Sequence, residues 1–190
     1  MLNNFDLEQA IIQETREWSS HALEQSNEYY NNLPACPYAK KAWQDNRVGF
    51  SFKYSNDWQP LYTLISQWDD SKDVIILIDF SPLPLDELDD YLDQLNEAIA
   101  QGFFINKDMF LMGFHPEDVE NELLDGEDFE STVDTPYAMI FLQRLTKLQE
   151  ASNTLRMKGY YEVCEKYYDA EKLYENRNSL YRRLKDDEKG

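Results

Sequence analysis

Strand-like and helix-like segments alternate between residues 47 and 116, and that alternation predicts an α/β fold. The expected architecture is a small sheet of at least three strands with helices packed on it, followed by a C-terminal, tyrosine-striped helical extension. Two segments carry most of this reading. "DVIILIDF" (73–80) is a continuous β-branched run of the kind buried on both faces of a sheet. "SPLPLDELDDYLDQLNEAIAQG" (81–102) repeats Leu85, Leu88, Leu92, Leu95 and Ile99 at helical spacing and stops at Gly102.

The chain opens with an amphipathic helix, "FDLEQAIIQETREWSSHALEQSNEYY", whose apolar positions include Phe5, Ile11 or Ile12, Trp18 and Leu23. It is expected to run to Asn31-Asn32, where Pro34 discourages continuation. Pro37 suits the first turn of a short helix over Tyr38 to Trp43. "RVGFSFKY" (47–54) alternates Val48, Phe50 and Phe52 with small or polar residues and reads as a strand. "WQPLYTLISQW" (58–68) is helical in period. "DMFLMGFHP" (108–116) reads as a third strand ending at His115-Pro116. The acidic stretch 117–135 lacks periodicity and reads as a loop. Pro136 is expected to open a helix over "PYAMIFLQRLTKLQEAS".

The tail differs in composition. Tyr160, Tyr167, Tyr174 and Tyr181 fall seven residues apart, with Val163, Ala170 and Leu184 on the alternate seam position. Such a face packs back on the domain or makes an interface, because tyrosine buries area while its hydroxyl stays hydrated. Arg177 on the seam weakens a long coiled coil, which favours internal packing. Tyr167 and Tyr174 are the binding candidates if the seam serves self-association. The expected division is an acidic α/β domain over 1–155 and a helical extension over 156–190.

Charge limits the function classes. The chain of 190 residues has a formal net charge of -19, and residues 69–134 hold 20 Asp/Glu against Lys72 and Lys107. Residues 156–190 hold 9 Lys/Arg and 8 Asp/Glu, nearly neutral. Such a middle repels phosphate backbones, so direct nucleic-acid binding is not expected. It steers a basic protein partner, or it is a solvated face that maintains solubility. An acidic inhibitor that mimics nucleic acid is a special case of the first reading. Asp6 and Glu8 interrupt any apolar leader, and "VIILI" is too short to cross a bilayer, so a cytoplasmic, non-membrane protein with free thiols is expected.

Reactive groups are few: two histidines and two cysteines, Cys36 and Cys164. His115 stands at a strand end, where ligands collect in open α/β sheets, and Glu117 and Asp118 follow it. His115, Glu117 and Asp118 would take a divalent metal or form a general acid/base group; the sequence specifies no cofactor. His-Pro is also a common strand stop. Cys36 becomes a nucleophile if a helix N-terminus and Lys40 lower its pKa; otherwise it is a small buried hydrophobe. "LLDGEDFESTVD" (123–134) lacks the spacing of an EF-hand, and no phosphate-cradling glycine loop or His-Glu-x-x-His helix is present.

Trp18, "CPYAK" (36–40), "GFHP" (113–116) and "TPYAMIFLQRL" (135–145) occur in an order and spacing that resemble the bacterial family called domain of unknown function 1415. The resemblance spans roughly residues 7–152. It departs at "EDVEN" after His-Pro, where the family has an aromatic residue, and at Asp134, where it has an arginine. It implies no reaction, but it points to Cys36 and His115; in an enzyme built on that pair, Lys40 and Tyr137 would be supporting groups. Two functional expectations follow: an acidic binding or regulatory protein, or a small enzyme or metal-binding protein built on Cys36 and His115.

Overall fold

The computed structural model describes residues 4–104, 108–117, 131–167 and 169–187. Asp118 and most of the acidic loop expected over 117–135 lie outside them. Helix α1 (Asn4–Trp18) runs directly into a π-helical turn, Ser19–Leu23, that closes with the Glu24 amide on the Ser19 carbonyl at 3.1 Å. The expected long first helix ends there. The strands β1 (Ser26–Asn27) and β2 (Leu33–Pro34) pair antiparallel around a 3₁₀ turn over Glu28–Tyr30. Asn31 and Asn32 both take left-handed backbone angles, φ 58 and 57°, a conformation asparagine tolerates better than most side chains. Paired asparagines therefore reverse the chain instead of merely ending a helix.

Helix α2 (Ala39–Gln44), strand β3 (Val48–Lys53), helix α3 (Gln59–Ser66), strand β4 (Val74–Asp79), helix α4 (Leu85–Ala100) and strand β5 (Phe110–Phe114) follow where periodicity predicts them. The next element differs. "AMIFLQ" is a strand, β6 (Ala138–Gln143), and helix α5 (Leu145–Met157) starts only after it. β6 is central, in the order β3-β4-β6-β5, antiparallel to both neighbours, while β3 and β4 are parallel. All six β6 residues are buried. A short apolar run carries no period that separates a buried strand from a buried helix; two sheet neighbours decide it.

Alternation along the strands divides the core. Leu77, Leu111, Ala138, Ile140 and Leu142 face α3 and α4, whose stripe includes Leu61, Ile65, Leu88, Leu92 and Ile99. Val74, Ile76, Ile78, Met139 and Phe141 face the opposite layer, where Ile11 of α1 packs. Gly113 permits the close seat of α4 on β5: a Cβ there would lie 2.9 Å from Leu92 Cδ1. On that edge, Asn96 Nδ2 donates to the Leu111 carbonyl at 2.9 Å, and the Leu111 amide donates to Asn96 Oδ1 at 2.8 Å. A buried asparagine thus occupies backbone groups that an edge strand would otherwise offer to another chain.

The tail is not one helix. Helix α6 (Tyr160–Cys164) and helix α7 (Ala170–Asp187) are separate, so the seven-residue tyrosine spacing crosses a break. Tyr160 and Tyr174 are buried with Tyr30, Tyr161 and Cys164, and Leu180 and Leu184 cover Leu145 and Phe110. Arg177, the seam residue, donates to Gln149, Ser152 and Tyr161. Most of the seam is thus packed inside the chain, with Tyr167 left partly exposed.

Candidate functional site

Cys36 and His115 stand at opposite ends of the sheet. Cys36 lines a cavity with Val48, Val74 and Gln143, at the amino ends of the parallel strands. His115 follows Phe114, which pairs with Met139, so one further step places it beside Ala138. Five residue steps along β6 separate Ala138 from Gln143, about 16 Å along the strand. The faces differ too. Residues before proline are held extended, so β5's alternation carries on to place position 115 on the α4 side, whereas Cys36 lies on the α1 side. The expected thiol–imidazole pair is not assembled.

The chemistry of each group agrees with this separation. Burial pushes the half-buried Cys36 thiol up to about 11, against hydrogen bonds from the Ala39 and Tyr38 backbone that favour the thiolate. Cys36 is thereby held as a thiol, the reverse of an activated nucleophile. Lys40 is exposed and does not line the cavity. His115 is buried, and its Nδ1 accepts from the Glu117 amide at 3.1 Å, the bond of a local turn. Glu117 is exposed. Among the described residues no three His, Cys, Asp or Glu side chains gather to hold a metal ion.

Tyr137 takes a role its sequence position did not suggest. It donates to Glu14 on α1, which also accepts from Ser131 Oγ at 2.7 Å, the Thr132 amide at 2.8 Å and Thr132 Oγ1 at 2.7 Å. Burial opposes ionisation of Glu14, yet these bonds together hold its carboxyl below the usual value, while burial and the Glu14 bond push the Tyr137 hydroxyl up. The pair pins the end of the acidic loop to α1. Tyr174 is likewise structural: it is buried, donates to Asn153 at 2.7 Å and lies under Arg156. Tyr167 is 39% exposed and meets Tyr29 edge to face.

Three features escaped the sequence reading. At the carboxyl ends of β3 and β4, Lys53 and Asp79 form an ion pair of 2.7 Å with both side chains fully buried. Lys53 also donates to the Ser81 carbonyl at 3.1 Å and sits 4.5 Å from the Trp58 ring centroid. Charged residues ending two otherwise apolar strands were the available signal. At the other end, Asp73 gathers Arg47 at 2.8 Å, Lys147 at 2.8 Å and Arg144 at 3.8 Å. Burial opposes its ionisation, but Lys147 and Arg47 hold its carboxyl below the usual range. Beside it lies a groove of ≈ 320 Å³, lined by α2 and α5.

The third feature is the outer face of α4. Asp86, Glu87, Asp90 and Asp93 are exposed along it, and Glu97 pairs with Arg183. Among the described residues no cation pairs with Asp86, Glu87 or Asp90. Asp93 is raised by burial and then by the like charges of Asp90 and Glu97, with Lys172 opposing. Crowded carboxylates thus create a local negative field. Phe103, 75% exposed, follows the same helix.

Compared with family models, curated proteins and solved structures, the chain matches none. The motif resemblance therefore supplies no family assignment, and function rests on the geometry. Among the described residues no helix is long and apolar enough to cross a membrane.

Proposed function

We propose that this protein is an acidic binding or regulatory protein of the cytoplasm that engages a basic protein partner through the outer face of α4. The observation that carries this reading is the row Asp86, Asp90 and Asp93, exposed at helical spacing, with like-charge repulsion contributing to the raised Asp93 carboxyl. A cationic partner would relieve that repulsion, and exposed Phe103 offers an apolar contact at the end of the row. The test is binding of a lysine-rich peptide to the full chain, compared with a variant carrying Asp86→Asn, Glu87→Gln and Asp90→Asn. At about 0.5 kcal/mol per exposed charge contact, the three changes should weaken binding roughly tenfold. Wild-type affinity should fall steeply with salt. Equal affinity of the two proteins, or salt-insensitive binding, would remove this proposal.

The alternative, an enzyme using Cys36 and His115, loses its thiol–imidazole pair once the two lie at opposite ends of the sheet, and its metal form rests in part on Asp118, outside the described residues. Self-association through the tyrosine seam loses its main surface, because Tyr160 and Tyr174 are buried within the chain.

A further inference from the structure

Three aromatic rings meet at the surface between α3 and α4. Trp58, at the start of α3, packs on Tyr91 of α4 with ring centroids 4.7 Å apart and planes tilted by 52°. Tyr62, one turn further along α3, bonds hydroxyl to hydroxyl with Tyr91 at 2.6 Å. Lys53 already holds Trp58, its ammonium 4.5 Å from the ring centroid. The rings are therefore fixed in place before anything binds. Trp58 and Tyr91 are half-buried, whereas Tyr62 is 37% exposed, so it is the ring that the cluster offers to a partner. The rim is negative. Asp57 precedes Trp58 and is exposed, and Glu87, also exposed, lies one turn before Tyr91 on the same side of α4. Among the described residues neither carboxylate pairs with a cation.

We propose that this cluster reads an arginine of the basic partner, whose guanidinium stacks on the Tyr62 ring while Asp57 and Glu87 supply the opposite charge. The assignment rests on the basic-partner reading of α4 and names the side chain that the partner presents beside the acidic row. Charge complementarity selects the occupant. The face of an aromatic ring is the negative side of its quadrupole, so rings and rim attract the same ion. An apolar side chain would cover Tyr62 but leave both carboxylates without a counter-charge. Lysine would answer the carboxylates, but its compact, strongly hydrated ammonium gives up more water to sit on a ring. Arginine meets both demands: its plane stacks on the ring, and its five N–H groups remain free to donate at the edge, to carboxylate or hydroxyl oxygens.

The probes are two octapeptides of equal charge, one all lysine and one with a single central arginine, each titrated into the full chain at one salt concentration. The wild-type chain should bind the arginine peptide about fivefold tighter, a difference near 1 kcal/mol. In NMR spectra of that complex the arginine side-chain methylene protons should move upfield, as protons over a ring face do. Tyr62→Leu removes the ring at an exposed position and should bring the two peptides to equal affinity. Tyr62→Phe keeps the ring without its hydroxyl and should keep the preference, which separates stacking from any loss of local structure. The all-lysine peptide reports the acidic face alone, so the two readings fail differently. Equal affinity of the wild-type chain for both peptides would overturn the arginine assignment and leave the basic-partner reading standing. A preference that survives in Tyr62→Leu, or an arginine whose protons do not shift, would overturn it too, because the carboxylates alone would then make the distinction. Absence of binding by either peptide would remove both.

Discussion

Replacing Lys53 by methionine isolates the cost of a carboxylate left unpaired inside the protein. Methionine keeps the length and approximate volume of the lysine stem, so little of the effect comes from a cavity. What disappears is the 2.7 Å ion pair to Asp79, the 3.1 Å bond to the Ser81 carbonyl, and the ammonium over the Trp58 ring. Asp79 Oδ1 would keep the Ser81 amide at 2.9 Å, and Asp79 Oδ2 already has no partner. Both side chains are fully buried, so water does not replace the lost cation. Breaking a buried pair from one side costs about 3–5 kcal/mol. At about 2–4 °C per kcal/mol for a chain of this size, Tm should fall by roughly 6–20 °C. Urea denaturation and calorimetry measure this directly. The double variant Lys53→Met with Asp79→Leu removes the stranded charge, so it should be at least about 2 kcal/mol more stable than Lys53→Met alone. A Lys53→Met protein within about 1 kcal/mol of wild type would refute the reasoning, as would strict additivity of the two changes.

Glu14→Gln should lower stability at neutral pH by about 1.5–3 kcal/mol, the range for hydrogen bonds to a charged group, as read by denaturant titration. The sign of its pH dependence is set by the lowered folded-state pKa. The contribution is full above the ordinary Glu value of 4.5 and is lost as pH falls through the folded value, so the variant should show a shallower acid-side loss than wild type. Asn96→Leu keeps the branched side-chain shape but strands the Leu111 amide and carbonyl; it should cost about 2–5 kcal/mol in urea denaturation. Light scattering should also show increased association at the uncovered β5 edge.

Much of this protein is legible without its fold. The leucine spacing of α4 and the β-branched run of β4 are local patterns, and each dictates its own element. The same holds for the charge asymmetry, because counting acids requires no neighbours. Paired asparagines at 31 and 32 were also visible, but their left-handed geometry turns the chain into β2, which a helical pattern running up to them does not reveal.

What only the tertiary structure decided depends on contacts between residues far apart in the chain. "AMIFLQ" became a central strand because β4 and β5 flank it. Tyr160 and Tyr174 of the tyrosine seam became internal because two helices, not one, fold against Tyr30 and Leu155. Lys53 and Asp79 meet because β3 and β4 are parallel and in register. Cys36 and His115, joined by motif order, are parted by the length of a strand. Spacing along the sequence governs position within an element, whereas register and layer order govern distance between elements, and the chemistry of a site depends on the second.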